Sequence, residues 1–120
     1  IGKEVAAEQG SAGEKVIAED DNLKQANYVA KVLQTEALLE VKAGTVDAAV
    51  LDLTLAKTMT GEGTNYTDII IVDHLAEEFY GVAFRKGSDI CAKVNEIFDE
   101  LVEDGSMGEL ADKYGLDLAE

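Results

Sequence analysis

Apolar residues along this chain alternate between two spacings, and that alternation predicts strands separated by helices. Short apolar runs predict strands at 4–7, 27–32, 48–51, 68–72 and 79–84. Helical spacing predicts helices at 12–19, from Glu36, at 53–59, from Asp89 and from Ser106 to Tyr114, with a loop at 60–67. Such an order is typical of an α/β fold with a doubly wound, mostly parallel sheet flanked by helices. The last two helices form a helical C-terminal tail.

The segment from Thr35 to Asp52 carries the clearest local signals. Thr35 is a candidate N-cap, Gly44 is placed where a helix ends in the left-handed conformation, and 48–51 is a continuous apolar run. Asp52 follows that run and is therefore expected at the carboxyl end of a buried strand, the edge where open α/β sheets bind ligands. The alternative is that Asp52 only caps the next helix, which is the commoner role for an aspartate after a strand.

A second candidate site is the turn after the first strand. Gly10 permits a sharp turn, Ser11 is a candidate N-cap, and Glu14 is its capping-box partner. In that arrangement Ser11 covers the amide of Glu14 and Glu14 covers the amide of Ser11. The amides of Ala12 and Gly13 remain free, and a helix N-terminus with small side chains favours an anion.

These two features are expected at the same edge of the sheet. The turn offers donors for an anion, and Asp52 offers a carboxylate for a cation. A free α-amino acid carries both charges about 3 Å apart, within the reach of one sheet crevice. The pattern therefore favours a zwitterionic ligand.

Composition narrows the function classes. The 120 residues include 25 acidic and 10 basic side chains, a net charge of −15, which argues against nucleic acid and anionic membrane surfaces as partners. No apolar run is long enough to span a bilayer. Cys91 is the single cysteine and His74 the single histidine, so neither a disulfide nor a metal-site spacing is expected. No nucleophile–histidine–carboxylate set is recognisable, and we expect neither an enzyme nor a cofactor.

Four stretches resemble type 3 extracellular solute-binding proteins, the amino-acid-binding components of ABC transporters. The resemblance covers nearly the whole chain and is most specific in the second and third stretches. They are GKEVAAEQGSAGE (2–14), ALLEVKAGTVDAAVLD (37–52), YGVAFRKGSD (80–89) and VNEIFDELVEDGSMGELADKYG (94–115).

The resemblance implies roles for four positions. Ser11 and the amide of Ala12 would bind the ligand α-carboxylate, and Asp52 would bind its α-ammonium. Many family members have threonine where this chain has Ala12, so that hydroxyl contact is lost here. Glu8 would line the cleft and favour a polar or cationic ligand side chain, although it is equally consistent with a solvated turn residue.

The resemblance also implies an organisation. Residues 1–84 would form the second, ligand-closing lobe, and 85–120 would be C-terminal helices that pack on an absent first lobe. A chain that begins at Ile1 is expected to be a fragment of an extracellular or periplasmic protein, lipid-anchored when full-length, which delivers its ligand to an ABC transporter permease. Without the first lobe, one helix face is expected to fold onto its own lobe or to form a homodimer: Ile90, Val94, Ile97, Phe98 and Leu101.

The main alternative is a response-regulator receiver domain, which is also acidic, doubly wound and about this length. Asp52 would then be the phosphoacceptor and Lys86 the lysine after the last strand. A receiver needs an acidic pair after the first strand to hold Mg²⁺. This chain has only Glu8 there, because Asp20 and Asp21 follow a helix, and it has no proline. A structural domain in which Asp52 is an inert cap is the third interpretation.

Overall fold

The computed structural model describes residues 1–119 and divides the chain into two compact units, 1–76 and the part from residue 77 onward. The first unit contains a three-stranded sheet with its helices, and the second contains two helices, which confirms the α/β class. The elements are β1 (Glu4–Glu8), α1 (Ala12–Glu19), a 3₁₀ turn (Leu23–Gln25), β2 (Asn27–Lys31), α2 (Gln34–Ala43), β3 (Ala48–Ala49), α3 (Leu53–Met59), α4 (Ile90–Glu103) and α5 (Ser106–Tyr114).

All strand pairs are parallel, in the order β2-β1-β3. Every residue of β1 is paired with β2, whereas β3 is paired with β1 only at Ala48 and Ala49. The amide of Val50 donates to the carbonyl of Ala6 at 2.9 Å and extends the contact by one bond. The predicted strand at 48–51 is therefore correct in place but longer than the paired segment.

The core has two halves, one on each face of β1. Val5 and Ala7 pack with Ile17 of α1, while Ala6 packs with Ala37 of α2. Because side chains alternate along a strand, these contacts place α1 and α2 on opposite faces of the sheet. The crossovers from β1 to β2 and from β2 to β3 run in opposite directions across the sheet, so right-handed connections place their helices on opposite faces. β1 is thereby covered on both sides, as a central parallel strand requires.

Helix α2 begins two residues earlier than expected. Leu33, not Thr35, is the N-cap residue, and Thr35 lies within the first turn. Leu33 has no side-chain acceptor, so the Glu36 carboxylate takes that role and accepts from the amides of Leu33 at 3.2 Å and Val32 at 3.1 Å. The expected glycine stop is confirmed, since Gly44 has φ 74°.

Two of the five predicted strands are wrong. The loop at 60–67 is present, closed by a bridge between Thr60 and Tyr66, but neither 68–72 nor 79–84 forms a strand in the part of the chain described. Their apolar side chains are largely exposed, as for Val72 at 83%. β-branched residues favour a strand only when a neighbouring strand and a covering layer are supplied, and local composition cannot guarantee either.

In the second unit, α4 and α5 are joined at Gly105, which has φ 85°. The spacing of Ser106 and Glu109 predicts a capping box, but Gly105 is itself the N-cap of α5 and no such box forms. The tight left-handed turn brings Ser106 into the helix, and its amide is capped by the Asp104 carboxylate at 2.8 Å. The Glu109 amide bonds the Gly105 carbonyl at 3.1 Å. None of the described residues of α4 or α5 is buried.

Among residues 1–119, no helix combines the length and the apolar content that crossing a bilayer would require.

Candidate functional site

The candidate site lies at the carboxyl ends of β1 and β3, which are neighbours in the sheet. The chain leaves β1 toward β2, and it later returns past β1 to form β3. The crevice between β1 and β3 is therefore the point at which the winding direction reverses. In open α/β sheets this position is the usual place for a ligand.

The turn after β1 is built by Ser11, as expected for an N-cap. Its Oγ accepts from the Glu14 amide at 3.2 Å and donates to the Glu8 carbonyl at 2.7 Å. The predicted return contact is different. Because the Ser11 amide already donates to the Glu8 carbonyl, the Glu14 carboxylate accepts instead from the Gly10 amide, at 2.7 Å. The sharp turn places Gly10 at φ 76°, a conformation that favours glycine.

The start of α1 touches the end of β3 at Gly13. A Cβ built on Gly13 would lie 2.9 Å from the Val50 carbonyl oxygen and 3.4 Å from its Cγ1. A glycine is therefore needed here for close packing, in addition to any role in admitting an anion. Within residues 1–119, no acceptor bonds the amides of Ala12 and Gly13, which are among the first amides of the helix and have no intrahelical partner.

Asp52 is the N-cap of α3. Its Oδ2 accepts from the Leu55 amide at 2.9 Å, so the capping role considered from the sequence is present. The Asp52 amide donates to Oε1 of Gln34 at 2.8 Å. Gln34 carried no sequence signal, because nothing local marks a glutamine whose partner is 18 residues away.

Glu8 is the last residue of β1 and is half-buried, with its carbonyl committed to the Ser11 turn. Strand alternation places its side chain on the same face as Ala6, the face covered by α2. Its register partner Lys31 bonds the Glu40 carboxylate of α2. Two hydrogen bonds, from Lys31 and from Thr45, lower the pKa of the Glu40 carboxyl.

The other face carries an open groove of about 770 Å³ beside the start of α1. Partial burial and the Glu14 carboxylate raise the pKa of the Tyr28 phenol, which lines this groove. Two of the four predicted site residues, Ser11 and Ala12, line this groove. The other two, Glu8 and Asp52, do not. The remaining lining residues are Gly10, Glu14, Lys15, Ile17, Ala18, Lys24 and Ala26.

No group of three or more His, Cys, Asp and Glu side chains within residues 1–119 is arranged to hold a metal ion. Comparison with known proteins adds no relative: no family model, no curated protein and no solved structure matches the chain.

Proposed function

We propose that this chain is the ligand-closing lobe of an amino-acid-binding protein that captures a polar amino acid and delivers it to an ABC transporter. One observation carries the proposal. A Cβ built on Gly13, in the turn with unbonded amides, would lie 2.9 Å from the carbonyl oxygen of Val50, which is two residues before Asp52. Donors for a carboxylate and a carboxylate for an ammonium therefore follow adjacent strands at the switch point.

The ligand α-carboxylate is assigned to the amides of Ala12 and Gly13. These amides have no acceptor within the described residues, and the helix dipole favours a negative charge there. The Ser11 hydroxyl is already used twice, as donor to the Glu8 carbonyl and as acceptor from the Glu14 amide. Ser11 therefore shapes the turn, and the main chain provides the donors.

The ligand α-ammonium is assigned to Asp52. The Asp52 carboxylate also caps α3 through Oδ2, so in this proposal one side chain serves both roles. Glu8, at the same sheet edge, is assigned to the ligand side chain, and its charge favours a polar or cationic amino acid.

In the complete protein, a second lobe would close over the ligand by a hinge motion and complete the contacts. Delivery to a permease places the protein outside the cytoplasmic membrane, and a lipid anchor would hold it there. The chain alone supplies about half of the cleft, so we expect millimolar affinity. This expectation follows from the proposal and from the open form of the edge.

A receiver domain is the second candidate, because an aspartate at the end of β3 beside β1 also suits a phosphoacceptor. It has less support. Asp20 and Asp21 lie after α1, remote from the carboxyl end of β1. Asp20 is engaged locally, accepting from the amides of Asn22 and Leu23 at 2.9 Å each. Those two bonds lower the pKa of Asp20 and fix it in the connection to β2.

An NMR titration of the ¹⁵N-labelled chain with each of the twenty amino acids tests the proposal. We expect millimolar shifts at the amides of Ala12, Gly13 and Asp52. The matched variant is Asp52→Asn, because asparagine still caps a helix but lacks the charge. It should keep the fold and lose the shifts.

Two results would contradict this function. One is the absence of shifts with all twenty amino acids, and the other is unchanged binding by Asp52→Asn. A separate titration with Mg²⁺ and beryllofluoride addresses the second candidate. Shifts around Asp52 with that mixture, and with no amino acid, would identify a receiver.

A further inference from the structure

We infer that Gln34 is a further residue of this site and positions Asp52 for binding the ligand ammonium; the inference rests on the function proposed above. Gln34 is the first residue of α2, directly after the connection that leaves β2. Its position places it at the carboxyl edge of the sheet, on the same edge as the turn after β1 and the end of β3.

The link from Gln34 to Asp52 joins two crossovers. Oε1 of Gln34 accepts from the amide of Asp52 at 2.8 Å, and both groups are partly buried. β2 and β3 lie on opposite sides of β1, so the hydrogen bond connects segments that follow the two outer strands of the sheet. The start of α2 and the start of α3 are thereby held together above the switch point.

The hydrogen bond to Gln34 holds the backbone of Asp52, whose carboxylate would bind the ammonium. Asp52 lies three residues after β3 and is the N-cap of α3, with φ −56° and ψ 131°. An N-cap side chain is directed by its own backbone, so a fixed Asp52 amide sets the direction of the carboxylate. Without Gln34, a partly buried amide would lose its acceptor and the chain there would rearrange toward water.

Three variants separate positioning from a general effect on folding. Gln34→Leu removes the acceptor at similar size, and Gln34→Glu retains an acceptor oxygen. Gln25→Leu is the matched control, because the Gln25 carboxamide donates only to the Asp21 carbonyl within its own turn, at 2.6 Å. The urea midpoint and amide dispersion of each variant show that it is folded.

The probes are the amino acid that binds the wild-type chain most tightly and the 2-hydroxy acid with the same side chain, such as L-serine and L-glycerate. The two probes share the carboxylate and differ at the ammonium. We expect Gln34→Leu to weaken binding of the amino acid at least tenfold while binding of the hydroxy acid stays within twofold. Gln34→Glu should hold the amino acid within threefold of wild type, and Gln25→Leu should match wild type with both probes.

Other results with the Gln34 variants would contradict the inference. Equal losses for both probes in Gln34→Leu would show a general structural role, and no loss would show no role; either result rejects the inference and leaves the proposed function standing. Loss of the amino acid in Gln34→Glu would reject positioning through Oε1. If the wild-type chain binds no amino acid, the proposed function fails and this inference fails with it.

Discussion

At the scale of single residues, Gly13 determines how closely α1 can approach β3. Its neighbour is the Val50 carbonyl, a main-chain atom of the sheet, which cannot move aside as a flexible side chain would. The absence of one methyl group therefore allows the turn after β1 to lie close to the segment that leads to Asp52. Gly13 has no positive φ, so space and not backbone strain explains the glycine.

Gly13→Ala should destabilise the first unit. Overpacking against fixed atoms costs about 1–3 kcal/mol. The higher helix propensity of alanine offsets at most about 1 kcal/mol of that cost. Urea unfolding followed at amides of β1 measures the difference. A variant as stable as wild type would show that the contact is not tight.

Gly108→Ala is the control for that substitution. A Cβ on Gly108, inside α5, would meet nothing within 4 Å. The same change should therefore leave α5 equally stable or stabilise it by up to about 1 kcal/mol. Opposite signs at the two glycines would separate steric contact from helix propensity.

Residue-scale predictions from sequence succeeded where the partners are close in the chain. The Ser11 cap is confirmed because Ser11 and Glu14 are three residues apart and an extended N-cap backbone brings them together. The partner of the Glu14 carboxylate was misassigned by one residue, since the Glu8 carbonyl takes the Ser11 amide first. Gln34 was missed because its bond to Asp52 depends on the order of the strands.

At the scale of elements, β3 is a short strand that is fastened at its beginning. The Asp47 amide donates to the Glu4 carbonyl, and the Asp47 carboxylate accepts from the Glu4 amide, both at 2.9 Å. Lys3 completes the cluster with an ion pair at 2.7 Å. One side chain therefore ties the start of β3 to the start of β1.

Asp47→Asn should lower the urea midpoint of the first unit in a pH-dependent way. The hydrogen bond from Lys3, and then that from the Glu4 amide, lower the pKa of Asp47 below 3.8. A carboxyl group with a lower pKa in the folded state stabilises the fold when the pH is above its unfolded-state pKa. That contribution is lost as the pH falls through its folded-state pKa. The difference in urea midpoint between wild type and Asp47→Asn should be present at pH 7 and should disappear below pH 3.8.

The contribution of Lys3 to stability depends on pH in the opposite direction to that of Asp47. The Asp47 carboxylate raises the pKa of Lys3 above 10.5 in the folded state. The contribution of Lys3 to stability is therefore complete below pH 10.5 and is lost as the pH rises through the folded-state pKa. Asp21→Asn is the control, because the Asp21–Lys24 pair lies within one turn and joins no strands. A constant gap between wild type and Asp47→Asn from pH 7 to pH 3 would contradict the assignment.

Element boundaries were predictable for compact amphipathic segments and not for strands that need a partner. The helices at 12–19 and 53–59 have the expected bounds, and β1 differs by one residue. Helices satisfy their hydrogen bonds within one segment, so local spacing is sufficient to predict them. The runs at 68–72 and 79–84 have strand composition, but a ladder requires a second strand that the sequence alone does not locate.

At the scale of the whole molecule, the second unit exposes much of the apolar face of α4. Ile97 is 55% exposed and Phe98 43%, and no described residue of α4 is buried. Exposed apolar surface of this kind favours association. The net charge of −15 opposes association of two copies, most strongly at low ionic strength.

We therefore expect a weak homodimer whose affinity rises with salt. Sedimentation velocity at increasing protein concentration, in 20 mM and 500 mM NaCl, measures it, and Ile97→Glu should abolish the dimer by placing a charge in the apolar face. Ala92→Glu adds the same charge on the opposite face of α4 and should leave the dimer nearly unchanged. A monomer at all concentrations in both salts would refute the prediction.

The exposed run 69–72 has a consequence for how the protein behaves in concentrated solution. Four β-branched residues in succession, without proline or charge, share the composition of the longer segments that stack into cross-β fibrils. Asp68 and Asp73 flank the run and act as gatekeepers, because stacking would bring like charges together in every layer. We therefore expect fibril formation to be favoured when salt screens these two charges or when either aspartate is replaced with a neutral residue.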